Sequence, residues 1–394
     1  MNMVFKYNAI AIIILMCGAS LAYSQDRFFG YFANNGAISQ NQDHTNINFI
    51  WAGMDDNEEA IALLLSELSD AQFYNTRAIV PVDTFVFVKQ GDSTTNTLAQ
   101  CPFEFEQNSS LFFADLVDEL VNMGFLVPNN PDQSTVAGFL VIDEPELCGL
   151  KDQNGLPHPA LLNAVNTVRN NPQTSNFPIM TSVSKNYPQA INGIRLFDWV
   201  GHQWYSASTS SYLSSFDALS SSLNPNQRTI LVPQASVDGF MSSAGDPHDP
   251  DLILNRFLAD QRIVGIMPFL WDHAETTGTK DIPSLRQSYT SIGKHIKNGD
   301  PLPVIASLAC SNQGGGLFEC SVAADRGNPP YVYTWHGASA VMGNEASYFI
   351  ACGVHGIQAR VTITDSESEQ ITVSSGLFCD TGTVVKSKDD KGDG

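Results

Sequence analysis

Between residues 28 and 297, short and nearly continuous apolar runs alternate with longer mixed segments, and this alternation constrains the fold more than any other feature. The runs are 28–32, 47–52, 77–82, 136–142, 178–183, 199–204, 229–233 and 263–270. A run with no polar face belongs to a parallel strand covered on both sides. Between the runs, 58–73 is the clearest helix. Ala60, Leu63, Leu64 and Leu68 fall on one stripe, with Glu58, Glu59 and Glu67 elsewhere. Segments 111–124, 158–170, 209–223, 249–261 and 282–297 read likewise, with Asp249 and Asp251 suited to a helix start. Segment 33–46 shows little helical periodicity. Eight β/α units over ~250 residues predict a (β/α)8 TIM barrel spanning 25–298. A doubly wound open sheet is the rival, but it calls for a Gly-rich phosphate loop after an early strand, and the sequence has none.

The flanks read differently. Lys6 precedes an apolar run, 9–16, and small residues follow (Gly18, Ala19, Ser20, Ala22, Ser24), the pattern of a secretory signal peptide over 1–24. The run is short for a membrane anchor, which needs ~20 apolar residues, so we expect a secreted chain, extracellular or periplasmic, with no membrane contact after cleavage. Residues 299–303 form a turn-rich linker. Short β-like runs follow at 304–308, 318–323, 331–335, 347–352, 358–364 and 370–373, which predicts a small all-β sandwich over 304–382. Residues 383–394 end the chain in a charged, Gly-rich segment expected to be disordered.

Lys and Arg number 20 against 41 Asp and Glu, a net charge of -21. Nucleic acid and anionic membranes need a basic surface, so neither is an expected partner. Six cysteines remain beyond the signal segment, and in an exported chain they read as disulfides. We pair Cys101 with Cys148. Of the three pairings open to the last four, we prefer Cys320 with Cys352 and Cys310 with Cys379. Cysteine and histidine spacings favour no zinc site. The run Asp246-Pro247-His248-Asp249-Pro250-Asp251 reads as a capped turn rather than a calcium loop. We expect no cofactor, no metal and a monomer.

In a barrel the chemistry lies beyond the C-terminal strand ends. The fourth run closes on Asp143-Glu144-Pro145-Glu146. Burial and mutual proximity raise carboxyl pKa values, which is how a general acid is made. Alternation along the strand would place Leu140, Ile142 and Glu144 on one face and Asp143 on the other. The sixth run ends Gly201-His202-Gln203-Trp204-Tyr205 and the eighth Phe269-Leu270-Trp271-Asp272-His273. Trp271 suits stacking on a sugar face, and Trp51 and Trp204 could extend that platform.

These strand ends resemble the cellulase-type clan A glycoside hydrolases, whose fourth strand ends Asn-Glu-Pro. The resemblance implies Glu144 as acid/base, with His202 supporting a carboxylate, Tyr205 bonding a nucleophile or sugar, and Trp271 as the sugar floor. The clan's seventh-strand nucleophilic Glu is missing, because Gln234 stands near that place and an amide is no nucleophile. Three readings stay open: another carboxylate serves (Asp83, Asp272 or Asp55/Asp56), the mechanism is inverting with a more distant second carboxylate, or the barrel has lost catalysis and only binds glycans. A looser resemblance to chitinase-like barrels would use Glu144 or Glu146 with Gln203, Tyr205 and Trp271. The run Gly327-Asn328-Pro329-Pro330-Tyr331-Val332-Tyr333-Thr334-Trp335 resembles bacterial Ig-like and PKD-type modules. Together these imply a secreted glycoside hydrolase on poly- or oligosaccharide, with Glu144, Asp143, Glu146 and Asp272 as catalytic candidates. A carbohydrate-binding protein on the same barrel is the alternative.

Overall fold

A computed structural model describes residues 27–34, 36–51, 57–89, 103–205, 207–237, 246–272, 276–314, 316–336, 341–343, 346–351 and 357–377. The expected signal segment and tail, Cys101, Cys352, Cys379, Asp55 and Asp56 lie outside the described residues. The chain divides into two compact units at Asn298/Gly299.

The first unit is a (β/α)8 barrel. Its strands are β1 (Phe28–Phe29), β2 (Ile47–Phe49), β3 (Arg77–Pro81), β4 (Val136–Asp143), β5 (Ile179–Val183), β6 (Trp199–Gln203), β7 (Arg228–Val232) and β8 (Ile263–Ile266). Each pairs in parallel with its sequence neighbour from β2 to β8, and β8 pairs with β1. The seam between β1 and β2 is closed by backbone bonds from Asn46 to Phe29 (3.0 Å) and from Phe49 to Tyr31 (3.1 Å). Gly30 makes that seam possible, since a Cβ there would lie 1.6 Å from the Ile47 carbonyl oxygen.

One helix follows each strand: α1 (Ile38–Asn41), α2 (Asn57–Phe73), α3 (Ser109–Asn122), α4 (Pro159–Asn170), α5 (Ile191–Ile194), α6 (Thr209–Ser222), α7 (Pro250–Ala259) and α8 (Pro283–Asn298). Two apolar layers result. Ile47, Phe49, Ile79, Ala137, Leu140, Met180, Ile230, Val232 and Met267 fill the lumen. Val80, Phe139, Val141 and Val200 face the helices, against Leu64, Leu68, Leu116 and Leu161. Between β3 and α3 the chain adds a one-turn helix, Asp83–Val86, and an antiparallel pair, Phe87–Lys89 with Phe103–Phe105, which the apolar pattern did not predict.

The unpatterned segment 33–46 is held by amides instead of a stripe. Asn34 Nδ2 donates to Asn48 Oδ1 (2.7 Å) and Asn41 Oδ1 (3.2 Å), and Asn41 Nδ2 returns to Asn34 Oδ1 (2.9 Å). The buried Glu67 carboxylate accepts the Gly36 N–H with both oxygens (2.9 and 3.0 Å). Satisfied buried polar groups do here what apolar burial does in the other units.

The second unit is a small all-β domain of two antiparallel sheets. One holds Ile305–Gly314, Leu317–Asp325 and Ser347–Ala351; the other holds Val341–Gly343, Val332–His336, Ile357–Thr364 and Gln370–Leu377. Phe318 and Val322 from the first share one core with Trp335, Val361 and Ile363 from the second. The preferred cystine pairing is overturned. Cys310 bonds Cys320, and the two stand directly opposite each other in an antiparallel hairpin. Direct pairing across the ladder brings the two Cβ atoms within bridging reach of each other. Cys148 is also disulfide-bonded, to a partner outside the described residues.

Candidate functional site

The fourth strand carries a register shift. Leu140 pairs with Met180, but Ile142 pairs with Thr181, so one residue is inserted on the β4 side. A bulge of this kind resets the alternation. Val141 and Ile142 both join the helix-facing layer, and Asp143 takes the lumen phase. The face expected from strict alternation is therefore corrected. The proof is a side-chain bond: Gln203 Nε2 on β6 donates to Asp143 Oδ1 (3.0 Å), and since β5 separates the two strands, that bond spans the interior.

The same phase can be followed round the rim. From Phe49, Met180, Val232 and Met267 in the lumen, the next inward positions are Trp51, Ser182, Gln234 and Phe269, and Asp83, which opens the one-turn helix after β3, lies near enough for its charge to act on Asp143. The rim is two-sided. Phe32, Phe269 and Trp51 make an aromatic arc over β8, β1 and β2, with Phe269 6.2 Å from Phe32 between ring centres. Asp83, Asp143, Ser182 and Gln203 make a polar arc over β3 to β6. Tyr205 joins the two: its hydroxyl donates to Gln203 Oε1, and its ring stacks on Phe269 at 4.7 Å and 24°.

Glu144 follows Asp143 in a left-handed conformation, φ 48°, which costs a non-glycine residue roughly 1–3 kcal/mol. Its backbone is fixed on both sides. Its N–H donates to the Ser182 carbonyl (2.8 Å), and its carbonyl accepts from Leu147 (2.9 Å) and Cys148 (3.1 Å). Glu146 is fully buried. Its Oε1 accepts the Ser184 N–H (2.6 Å), and its Oε2 has no hydrogen-bond partner among the described residues.

Burial, reinforced by the charges of Asp143 and Glu146, pushes the Glu144 carboxyl up to about 8. Burial likewise pushes Asp143 up to about 7, with the Glu146 and Asp83 charges adding to it and the bond from Gln203 opposing. Glu146 is also raised by burial, against the opposing Ser184 bonds. Among the described residues, none of the three forms an ion pair. Asp143 and Glu144 nevertheless remain partly open to solvent.

Of the other expected site residues, Gln234 and Trp51 keep the lumen phase and the rest lie elsewhere. Trp271 is 5% exposed, packed on Tyr31 (5.0 Å) and His44 (5.7 Å), with its Nε1 donating to Gln40 Oε1 (3.2 Å). Tyr31 and His44 belong to the layer behind β1, so the β8 aromatic that meets Tyr205 is Phe269, two residues earlier. His202 also turns to the helices, stacked on Tyr212 at 5.4 Å, and burial lowers it to about 4. Asp272 pairs with Lys280 (2.5 Å). Gln234 is buried, donating to the Ser236 carbonyl (3.0 Å). Trp204 borders a shallow groove of about 450 Å³ with Ser210, Ser211, Ser214 and Ser215 on α6, with the Lys185 ammonium 5.0 Å from its ring. Trp51 is 39% exposed. His248 bonds the Gln234 N–H (3.1 Å) and the Ala207 carbonyl (3.1 Å), and Asp249 caps α7, as a capped turn requires. Among the described residues, no group of three or more His, Cys, Asp and Glu is placed to hold a metal ion.

Sequence reasoning missed Phe269, Ser182 and Ser184. The lumen phase counted back from Trp271 would have found Phe269; no local signal marks the serines.

No family profile and no curated protein matches the chain. Several solved structures are similar. An FMN-binding β-glucuronidase from Facaelibacterium prausnitzii L2-6 is 8% identical with a TM-score of 0.48, over 91% of this chain and 56% of that one. A GH113 β-1,4-mannanase is 8% identical with a TM-score of 0.39, over 68% and 98%. A GH18 chitinase from Pseudoalteromonas aurantia is 13% identical with a TM-score of 0.38, over 66% and 99%. This chain thus spans little more than half the length of the glucuronidase. At such distances the reading of function rests on the rim residues themselves.

Proposed function

We propose that the barrel is a secreted glycoside hydrolase acting on poly- or oligosaccharide, with Glu144 as its general acid. One observation carries this reading. A partly exposed carboxyl, pushed up to about 8, is held in a left-handed backbone at the C-terminal end of β4, beside a rim that is polar on one arc and aromatic on the other. Strain and raised pKa both cost stability, and natural proteins keep such costs at functional positions. A carboxyl still protonated near pH 7 can give its proton to a leaving glycosidic oxygen.

The two-sided rim fits a sugar ring, which has an apolar face for Phe269 and Trp51 and hydroxyls for Asp143 and Gln203. We assign the second carboxylate to Asp83. It occupies the strand end next to Asp143, and its charge reaches Asp143, whereas Asp272 is tied to Lys280. Asp83 takes the proton of the attacking water, which implies inversion at the anomeric carbon. Export and an Ig-like or PKD-type spacer role for the second unit complete the proposal.

A non-catalytic carbohydrate-binding protein is the second reading, and Gln234 at the end of β7 favours it. The test is release of reducing ends from a panel of polysaccharides. Glu144→Gln should cut release by about 10²–10⁴-fold and Asp83→Asn by a similar factor. Equal activity in wild type and Glu144→Gln would sink the assignment. Polymer binding without release by the wild type would favour the second reading.

A further inference from the structure

The fully buried Glu146 plays no part in the reaction just proposed, yet it is built into the turn that presents Glu144. Its side chain runs from that turn to the end of β5, where Oε1 accepts the Ser184 N–H at 2.6 Å. Two residues earlier on β5, the Ser182 carbonyl takes the Glu144 N–H at 2.8 Å. The strained turn is thus clamped to one strand end at two points, and Glu146 supplies the second.

That clamp has an electrostatic consequence. Three carboxyls within one turn accommodate a single negative charge far more readily than two or three. Of the three, Glu146 is the one with a backbone N–H donor on its carboxylate, and such a donor stabilises the charged form. Asp143 has the Gln203 side-chain amide instead, and the same amide opposes the rise at Glu144. Other titratable groups face the cluster from neighbouring elements: Asp83 from the one-turn helix after β3 and the Tyr205 phenol from just beyond β6. Lys185, beyond β5, lies over Trp204. The His202 ring points the other way, onto Tyr212.

We propose that Glu146 is a positioning residue that takes the first negative charge of this cluster and so holds Glu144 in its proton-donating form. The proposal rests on the reading of Glu144 as the acid, but its test needs no substrate. Carboxyl titration of the full chain by difference infrared spectroscopy follows the protonated C=O band, with Glu144→Gln and Asp143→Asn assigning the bands. Glu146→Gln keeps the acceptor oxygen for Ser184 and removes the charge. The Glu144 midpoint should then fall by about one to two pH units, the size expected for losing a charge ~6 Å away at an effective dielectric of ~20. If Glu146→Gln does not fold, Glu146→Met removes the charge at similar volume and the same fall is expected.

An unchanged Glu144 midpoint in the folded variant overturns the proposal, as does a wild-type Glu144 that titrates in the ordinary carboxyl range. Where a substrate is found, the alkaline limb of the pH–rate profile should shift to lower pH in Glu146→Gln while the acid limb stays. If no glycan is released by any form, the hydrolase reading fails, and the infrared result still decides the role of Glu146.

Discussion

Two buried polar clusters sit in the same barrel and are built to opposite rules. Around α1, Asn34, Asn41, Asn48 and Thr45 exchange side-chain bonds among themselves, and Glu67 spends both oxygens on one backbone N–H. At the end of β4, three carboxyls crowd one turn, none of them in an ion pair among the described residues, and one oxygen of Glu146 has no partner there. A closed network stabilises the structure that contains it. An open acidic one costs stability and is kept for what its charge can do. The contrast lets structure and function be told apart by deletion.

The largest stability effect should come from breaking the closed cluster. Asn34→Ala strands the amide groups of Asn41 and Asn48, and each buried polar group left without a partner costs about 1–3 kcal/mol. We expect a loss of about 2–4 kcal/mol by denaturant titration. A loss under ~0.5 kcal/mol, the size of an ordinary surface change, would show that the amides do not hold the first unit.

The open cluster should behave in the reverse sense. Raised carboxyls bind protons in the folded chain that the unfolded chain has already lost, so stability falls as pH rises between about 4 and about 8 and levels beyond it. Glu144→Gln should flatten that slope and, at pH 8, raise stability by about 1–2 kcal/mol, since it removes a half-buried carboxylate that forms no ion pair among the described residues. Melting curves taken from pH 5 to 8 decide it. A Glu144→Gln variant that is no more stable at pH 8 than the wild type would mean the carboxyl is not held under stress.

The same contrast explains what could be read from sequence. Apolar strands announce themselves locally, so the eight runs and most helices were legible within a few residues, as was the acidic end of β4. The phase of those acids was not, because the bulge at Val141 and Ile142 is set by pairing with β5. Trp271 drew attention as the large aromatic of its strand, but lumen phase belongs to Phe269, and Trp271 fills the space behind β1. Segment 33–46 shows little helical periodicity because its order comes from amide bonds among Asn34, Asn41 and Asn48 and from Glu67 on α2. A Cys310–Cys320 bridge is one of three pairings the sequence leaves open, because a hairpin contact looks the same in sequence as a loop.

The smallest effect sharpens the comparison most, because it separates strain from charge at one residue. Glu144 combines a left-handed φ with a raised carboxyl. Glu144→Ala removes the charge and keeps the strain; Glu144→Gly removes both. Glycine adopts this conformation freely but gains entropy in the unfolded chain, so the two terms partly cancel. We expect Glu144→Gly to exceed Glu144→Ala in stability by about 0.5–1 kcal/mol at every pH from 5 to 8. A pH-independent gap assigns that part of the cost to backbone and leaves the pH-dependent part, measured with Glu144→Gln, to charge. If alanine equals glycine, the strain at Glu144 is no larger than the entropy glycine gains on unfolding, about 0.5–1 kcal/mol, and the rest of the cost of the site lies in its three carboxyls.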